Sequence, residues 1–184
     1  KEKDMPTVKV HTDIVKGKSG YQLQVGPELY WVEPQVELGT SEGYVIGCKP
    51  DFVLWPRLTQ SPRRPIAVFT DGWHYHKDTP VSDAFKRTGL IRSQQFWVWS
   101  VTWDDVQAAL KGNPQTDLES PFGAHVRQHK TPSGMAPEKE LYTLSSLGLL
   151  LTWLASPAHQ EDSFLKRLHT TQFCRAMQCL DATA

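Results

Sequence analysis

Cysteine is scarce in this sequence: three residues of 184, at Cys48, Cys174 and Cys179. That is too few for a disulfide framework. The Cys174/Cys179 spacing fits no usual zinc pattern, and there is no second pair. A reducing, cytoplasmic setting is the matching expectation. Excess charge of either sign is also missing, with 20 Lys and Arg against 20 Asp and Glu. Any polyanion site must therefore be a local stripe rather than a property of the whole surface. Long apolar runs are missing too. The longest, "LGLLLTWLA" (Leu147–Ala155), is about half of the roughly twenty residues a membrane-spanning helix needs. No membrane partner is expected. The opening "KEKDMPTVKV" has no apolar run, which argues against a signal peptide, and no methionine at position 1. The chain is expected to be a piece of something longer.

What is present suffices for a core: 39% hydrophobic residues and seven tryptophans. The first 20 residues, charged and carrying "KGKSG" (Lys16–Gly20), read as a linker or loose arm. "ELYWVEPQVEL" (Glu28–Leu38) is rich in aromatic and β-branched residues, with Pro34 marking an edge or bulged strand. After the turn signal "TSEG" comes "YVIGCKPDFVLW" (Tyr44–Trp55), and the two segments are most simply a hairpin. "IAVFTD" (Ile66–Asp71) is almost wholly apolar, as a central strand should be. "VSDAFKRTGLIRSQ" (Val81–Gln94) predicts a helix, with Ser82 as N-cap and Asp83 complementing the dipole. "FWVWSVTW" (Phe96–Trp103) predicts a strand, and "DDVQAALKG" a short helix with a glycine stop. Residues 113–137 hold four prolines and read as an irregular connection, followed by two helices in residues 138–184. No repeat is visible. The expectation is an α/β core over residues 21–112 with a helical C-terminal third. "LYTLSSLGLLLTWLASP" has leucines on too many sides for a free helix, so both C-terminal helices are expected to pack on the core.

Two apolar strands each deliver polar groups. "KPDFVLWP" carries Asp51, and "AVFTDGWHYH" ends in Asp71, His74 and His76. Taken singly, Asp51 caps a turn after Pro50 and Asp71-Gly72 is a turn dipeptide. Together, adjacent strands would bring two carboxylates to one end of a sheet. Paired carboxylates repel unless a cation joins them. Oxygen ligands suit magnesium or manganese, which hold phosphate oxygens and activate water. One of His74 and His76 could then act as general acid or base at neutral pH, although for His74 packing with Trp73 and Tyr75 is the better explanation. A zinc hydrolase using His74, His76 and an acid or Cys48 is a second possibility from the same residues.

In this order and spacing, "KPDFVLWP…RPIAVFTDGWHYH" resembles the PD-(D/E)XK nuclease superfamily, nearest its very short patch repair endonuclease-like branch. That branch follows a "DF" strand with one of the form hydrophobic–Phe–x–x–Gly–x–x–x–His, which Phe69, Gly72 and His76 match. Asp83 and Arg87, a Trp-x-Val strand and "TWDDV" continue the likeness, over roughly residues 30–110. The resemblance implies a restriction-endonuclease-like mixed sheet flanked by helices. It also implies Mg2+- or Mn2+-dependent hydrolysis of DNA, with Asp51, the Thr70 carbonyl and Asp71 on the metal and Asp51, Asp71 and His76 catalytic. His74, Asp83, Arg87 and Glu37 (or Glu33, as an upstream acid) would support them. The usual motif lysine is absent, since Asp71 is followed by Gly72 and Trp73. That absence leaves a degenerate nuclease fold acting as a DNA- or protein-binding module as the alternative. Arg57, Arg63, Arg64 and Lys86 are the basic candidates for DNA. Relatives of this look are often joined to helicases in defence systems, so a helicase or other domain of a parent chain is an expected partner.

Overall fold

A computed structural model of the protein describes residues 6–40, 43, 47–58, 63–71, 80–102, 106, 107, 110, 145–156, 163 and 165, with residues 58, 71, 80, 81 and 102 described by backbone alone. The chain divides into two compact units, Lys1–Asp104 and Asp105–Ala184. Among the described residues the fold is mixed α/β, with a six-stranded sheet and two helices.

The sheet runs in chain order: β1 (Val8–Val15), β2 (Lys18–Val25), β3 (Glu28–Pro34), β4 (Phe52–Leu58), β5 (Ile66–Asp71) and β6 (Trp97–Thr102). Neighbours are antiparallel except β5 and β6, which are parallel. A parallel pair needs a crossover, and helix α1 (Pro80–Ser93) supplies it. The expected order of strand, helix, strand over residues 66–103 is therefore present.

Residues 8–20 are not a loose arm. Lys16 and Gly17 have φ of 50° and 80°, both in the left-handed region. Two such residues between paired Val15 and Lys18 make a type I′ hairpin turn, whose twist matches that of the strands. The "KGK" that suggests a linker is this turn, and the alternating "VKVHTDIV" before it is β1. Gly20 is needed for a different reason. A Cβ there would lie 2.7 Å from the Val32 carbonyl oxygen and 2.9 Å from Val15 Cγ2.

β3 pairs with β2 and β4, so it is not an edge strand along its whole length, but its pairing with β4 shifts register between Leu29 and Tyr30, an irregularity of the kind Pro34 suggested. Pairing with β2 stops at Val32, so Pro34 removes no ladder bond on that side, and the chain turns out through Gln35 at φ 53°. The hairpin expected from residues 28–55 is present as β3 and β4, with an isolated bridge from Leu38 to Cys48 in the connection.

Helix α1 starts earlier than its sequence signals suggest. Pro80 takes the first helical position, where its missing N–H costs nothing, so Ser82 is inside the helix and not its cap. Leu90 is its fully buried residue, within a core of Leu38, Cys48, Val53, Ala67 and Phe96. Trp55, Phe69 and Val98 pack against this cluster, and Trp55 meets Phe96 edge to face at 5.8 Å. The face shared by Ala84, Thr88 and Ile91 is exposed, and Thr88 Oγ1 donates to the Ala84 carbonyl at 2.8 Å.

In the second unit, α2 (Ser146–Ala155) begins at Ser145, whose hydroxyl accepts from the Gly148 N–H at 3.1 Å. Gly148, Leu149, Leu150, Trp153 and Leu154 are buried, so the leucines on several sides do find cover. Of the expected final helix only Ser163 and Leu165 are described. No helix among the described residues is long and apolar enough to cross a membrane.

Candidate active site at one end of the sheet

Because β4 and β5 are antiparallel, the beginning of one lies beside the end of the other. Asp51 immediately precedes β4, and Thr70 and Asp71 close β5. The topology thus brings the two acidic positions of the sequence to one end of the sheet. Asp51 Oδ2 accepts hydrogen bonds from the Thr70 backbone N–H at 2.7 Å and from Thr70 Oγ1 at 2.8 Å. The Asp51 reading as a simple turn cap does not describe this geometry: its carboxylate clasps the neighbouring strand. Asp71 is opposite Thr102 of β6 through its backbone.

Gln35 completes the clasp, and no sequence signal pointed to it. Its Nε2 donates to Asp51 Oδ1 at 3.2 Å, and its backbone N–H donates to the Asp51 carbonyl at 2.8 Å. Both bonds depend on the positive φ that turns the chain after Pro34. Asp51 is therefore held from β3's end and from β5's end at once. A carboxylate offers about four lone-pair positions, of which these contacts use three. The remaining one is on Oδ1.

Arg87 reaches β5 and β6 from the helix. From α1 its Nη1 donates to Ser100 Oγ at 2.8 Å, and its guanidinium lies 4.7 Å from the Phe69 ring centroid. Phe69 and Ser100 are paired across β5 and β6, next to Thr70. Arg87 is thus turned onto the sheet. Asp83 is half-buried in the first turn of α1.

The upstream acids separate into two cases. Glu37 is 84% exposed and pairs with Lys49 at 3.8 Å, outside the clasp. Glu33 is buried, and its Oε2 accepts from Trp55 Nε1 at 2.8 Å with Lys16 Nζ at 3.6 Å. Glu33 is thus already committed to partners within the fold.

Three of the basic candidates lie elsewhere. Arg57 is six residues along β4 from Asp51, about 20 Å in an extended strand. There it reaches Gln22 Oε1 at 3.1 Å and covers the Trp31 ring at 4.7 Å. Arg63 donates to the Tyr30 hydroxyl, and Arg64 covers Trp97 at 4.9 Å, both before the start of β5. Closeness in sequence to "PDF" does not survive the direction of the strands, and these arginines are engaged with aromatic rings at the far end. Lys86 sits on α1, near enough to Cys48 for its charge to act on the thiol.

Cys48 is buried in the core cluster. Burial pushes its thiol up from the ordinary value, and Lys86 opposes this with a smaller pull downward. Its side chain lies in the cluster with Leu38, Val53 and Phe96. His74 and His76 lie outside the described residues. Among the described residues no group of three or more His, Cys, Asp and Glu side chains gathers to hold a metal ion. Asp51 is the described acid at this end of the sheet that retains coordinating capacity. No family model, no curated protein and no solved structure matches the chain.

Proposed function

We propose that the protein is a metal-dependent DNA endonuclease with a restriction-endonuclease-like core, acting in the cytoplasm as a module of a larger DNA-processing or defence protein. The observation that carries this reading is the clasp. Asp51 is fixed at one end of a sheet by Thr70 and Gln35, beside the backbone of Asp71 and ahead of a segment carrying His74 and His76. Hard oxygen donors of this kind suit Mg2+ or Mn2+ better than a softer metal. Asp51, the Thr70 carbonyl and the Asp71 carboxylate would hold the ion. When bound, it supplies Lewis-acid polarisation of the phosphodiester and stabilises charge on the leaving oxygen.

The chain's own groups do the rest. Thr70 and Gln35 keep the Asp51 carboxylate in one orientation, so little reorganisation accompanies binding. His76 moves the proton that a motif lysine would otherwise manage, taking it from the attacking water or giving it to the leaving oxygen. Arg87, held by Ser100 and Phe69 in the strands that end at Thr70 and Asp71, supplies a positive charge to which a phosphate would be attracted.

The test is cleavage of plasmid DNA in Mg2+ or Mn2+, with metal binding measured separately by calorimetry. A specific observation favours a second reading, in which the fold binds DNA or a protein without cutting. The motif lysine is absent, and donors of the chain already occupy both Asp51 oxygens. DNA binding without cleavage, and without metal uptake, would select it.

A further inference from the structure

The outer edge of the sheet is complementary to itself. Among the described residues, β1 pairs with β2 on one side and ends the sheet on the other. The type I′ turn fixes which of its groups point outward. Val15 and Lys18 close the turn, so Asp13, His11 and Lys9 also exchange bonds with β2. Val8, Val10, Thr12 and Ile14 then direct their N–H and C=O groups away from the sheet. The Ile14 N–H bears this out. It donates to Asp13 Oδ1 at 2.8 Å, a local bond made in place of a strand partner.

The side chains of the same residues are exposed and apolar: Val8, Val10 at 56% and Ile14 at 66%, beside exposed Tyr21 of β2 on the same face. An edge strand of eight residues that ends on exposed valine and isoleucine is a template for another strand.

We propose that β1 pairs antiparallel with β1 of a second copy of this chain, about a two-fold axis through His11, joining two six-stranded sheets into one. In this register Val8 lies opposite Ile14 and Val10 opposite Thr12, each twice, so the exposed apolar residues cover one another. Lys9 lies opposite Asp13, also twice, on the other face. Val10 and Thr12 of the two copies exchange backbone hydrogen bonds, as their outward groups require. The neighbouring registers that keep the same face set Lys9 opposite His11 or opposite Val15, and lose the charge match. Asp13 is suited to the exchange. Its Oδ2 is turned inward, to Trp31 Nε1 at 3.3 Å and Arg57 at 3.9 Å, while Oδ1 serves only the Ile14 N–H. On pairing, that N–H passes to the Val8 carbonyl of the second copy and Oδ1 meets the incoming Lys9. No residue of the clasp takes part in this pairing, which is independent of the nuclease reading.

The test is sedimentation equilibrium of the full chain, together with cysteine cross-linking. A species of twice 20.9 kDa is expected, with a dissociation constant tighter than about 100 µM. Under mild oxidation His11→Cys, which sits on the axis and faces itself, links into a dimer, whereas Lys9→Cys alone does not. Lys9→Glu and Asp13→Lys each weaken association by about tenfold, because both ion pairs become repulsive. Mixing the two variants restores it, since the mixed dimer again sets opposite charges face to face. Val10→Lys, which puts a charge on the apolar ridge, leaves a monomer. A chain that stays monomeric at 100 µM would overturn the proposal, as would a dimer in which His11→Cys and Lys9→Cys link equally.

Discussion

Removing the Asp51 carboxylate should cost stability as well as any activity. Asp51→Ala takes away the acceptor of three bonds, from the Thr70 N–H, Thr70 Oγ1 and Gln35 Nε2. Hydrogen bonds to a charged group contribute about 1.5–3 kcal/mol each when buried, and less where water can replace them. The Gln35 bond is exposed and contributes little, whereas the Thr70 bonds are part-buried. The loss should come to about 2–4 kcal/mol, concentrated in the stranded Thr70 N–H. Asp51→Asn keeps a carbonyl oxygen for Thr70 but loses the charge assistance and, with an amide nitrogen in place of Oδ1, the exposed bond from Gln35, about 1–2 kcal/mol in all. Against a total of about 5–15 kcal/mol both variants should fold. In thermal unfolding, with about 4 °C per kcal/mol, Asp51→Ala should melt roughly 8–16 °C below the parent chain and Asp51→Asn less than 8 °C below it. Thr70→Val in the Asp51→Ala background should add little further, because the partner is already gone. An Asp51→Ala chain with an unchanged melting temperature would refute the clasp.

Arg87→Ala should lose about 1–2 kcal/mol through its bond to Ser100 and its contact with Phe69, and should weaken DNA binding as well; Arg87→Lys keeps the charge but not the fork, so calorimetric melting and filter binding together separate the two roles. Gly20→Ala should destabilise by about 1–3 kcal/mol in a denaturant titration, since its Cβ would meet the Val32 carbonyl oxygen at 2.7 Å and neither β2 nor β3 can yield without breaking their pairing. His76→Ala should slow cleavage by about 10²–10⁴-fold and His74→Ala far less, measured under single turnover; equal losses would reverse the two roles.

Much of the sheet was legible because its strands carry their own signals. The apolar run of β5, the helix signals of α1 and the aromatic run of β6 stand together in sequence, and a parallel pair bridged by a helix follows from them. β1 and β2 were not legible for a local reason. "KGKSG" has the composition of a linker, and only backbone at positive φ makes Lys16-Gly17 a turn. The meeting of Asp51 with Thr70 followed from antiparallel strands, whose opposite ends are neighbours. Gln35 escaped notice because its role depends on how the chain leaves β3, which nothing in "EPQVEL" announces. Arg57, Arg63 and Arg64 show the opposite relation. They are near Asp51 in the chain, but a strand carries them to the other end of the sheet, where tryptophan and tyrosine side chains hold them.

Whether the Asp51 end of the sheet is a metal-dependent nuclease site can be decided by incubating supercoiled plasmid with the intact chain and with Asp51→Asn, which should keep the fold, each in Mg2+, Mn2+ and excess chelator. The intact chain should give nicked or linear DNA with either metal and none with chelator, and Asp51→Asn should give none. Undiminished cleavage by Asp51→Asn, or no cleavage by the intact chain in either metal, would contradict the nuclease reading.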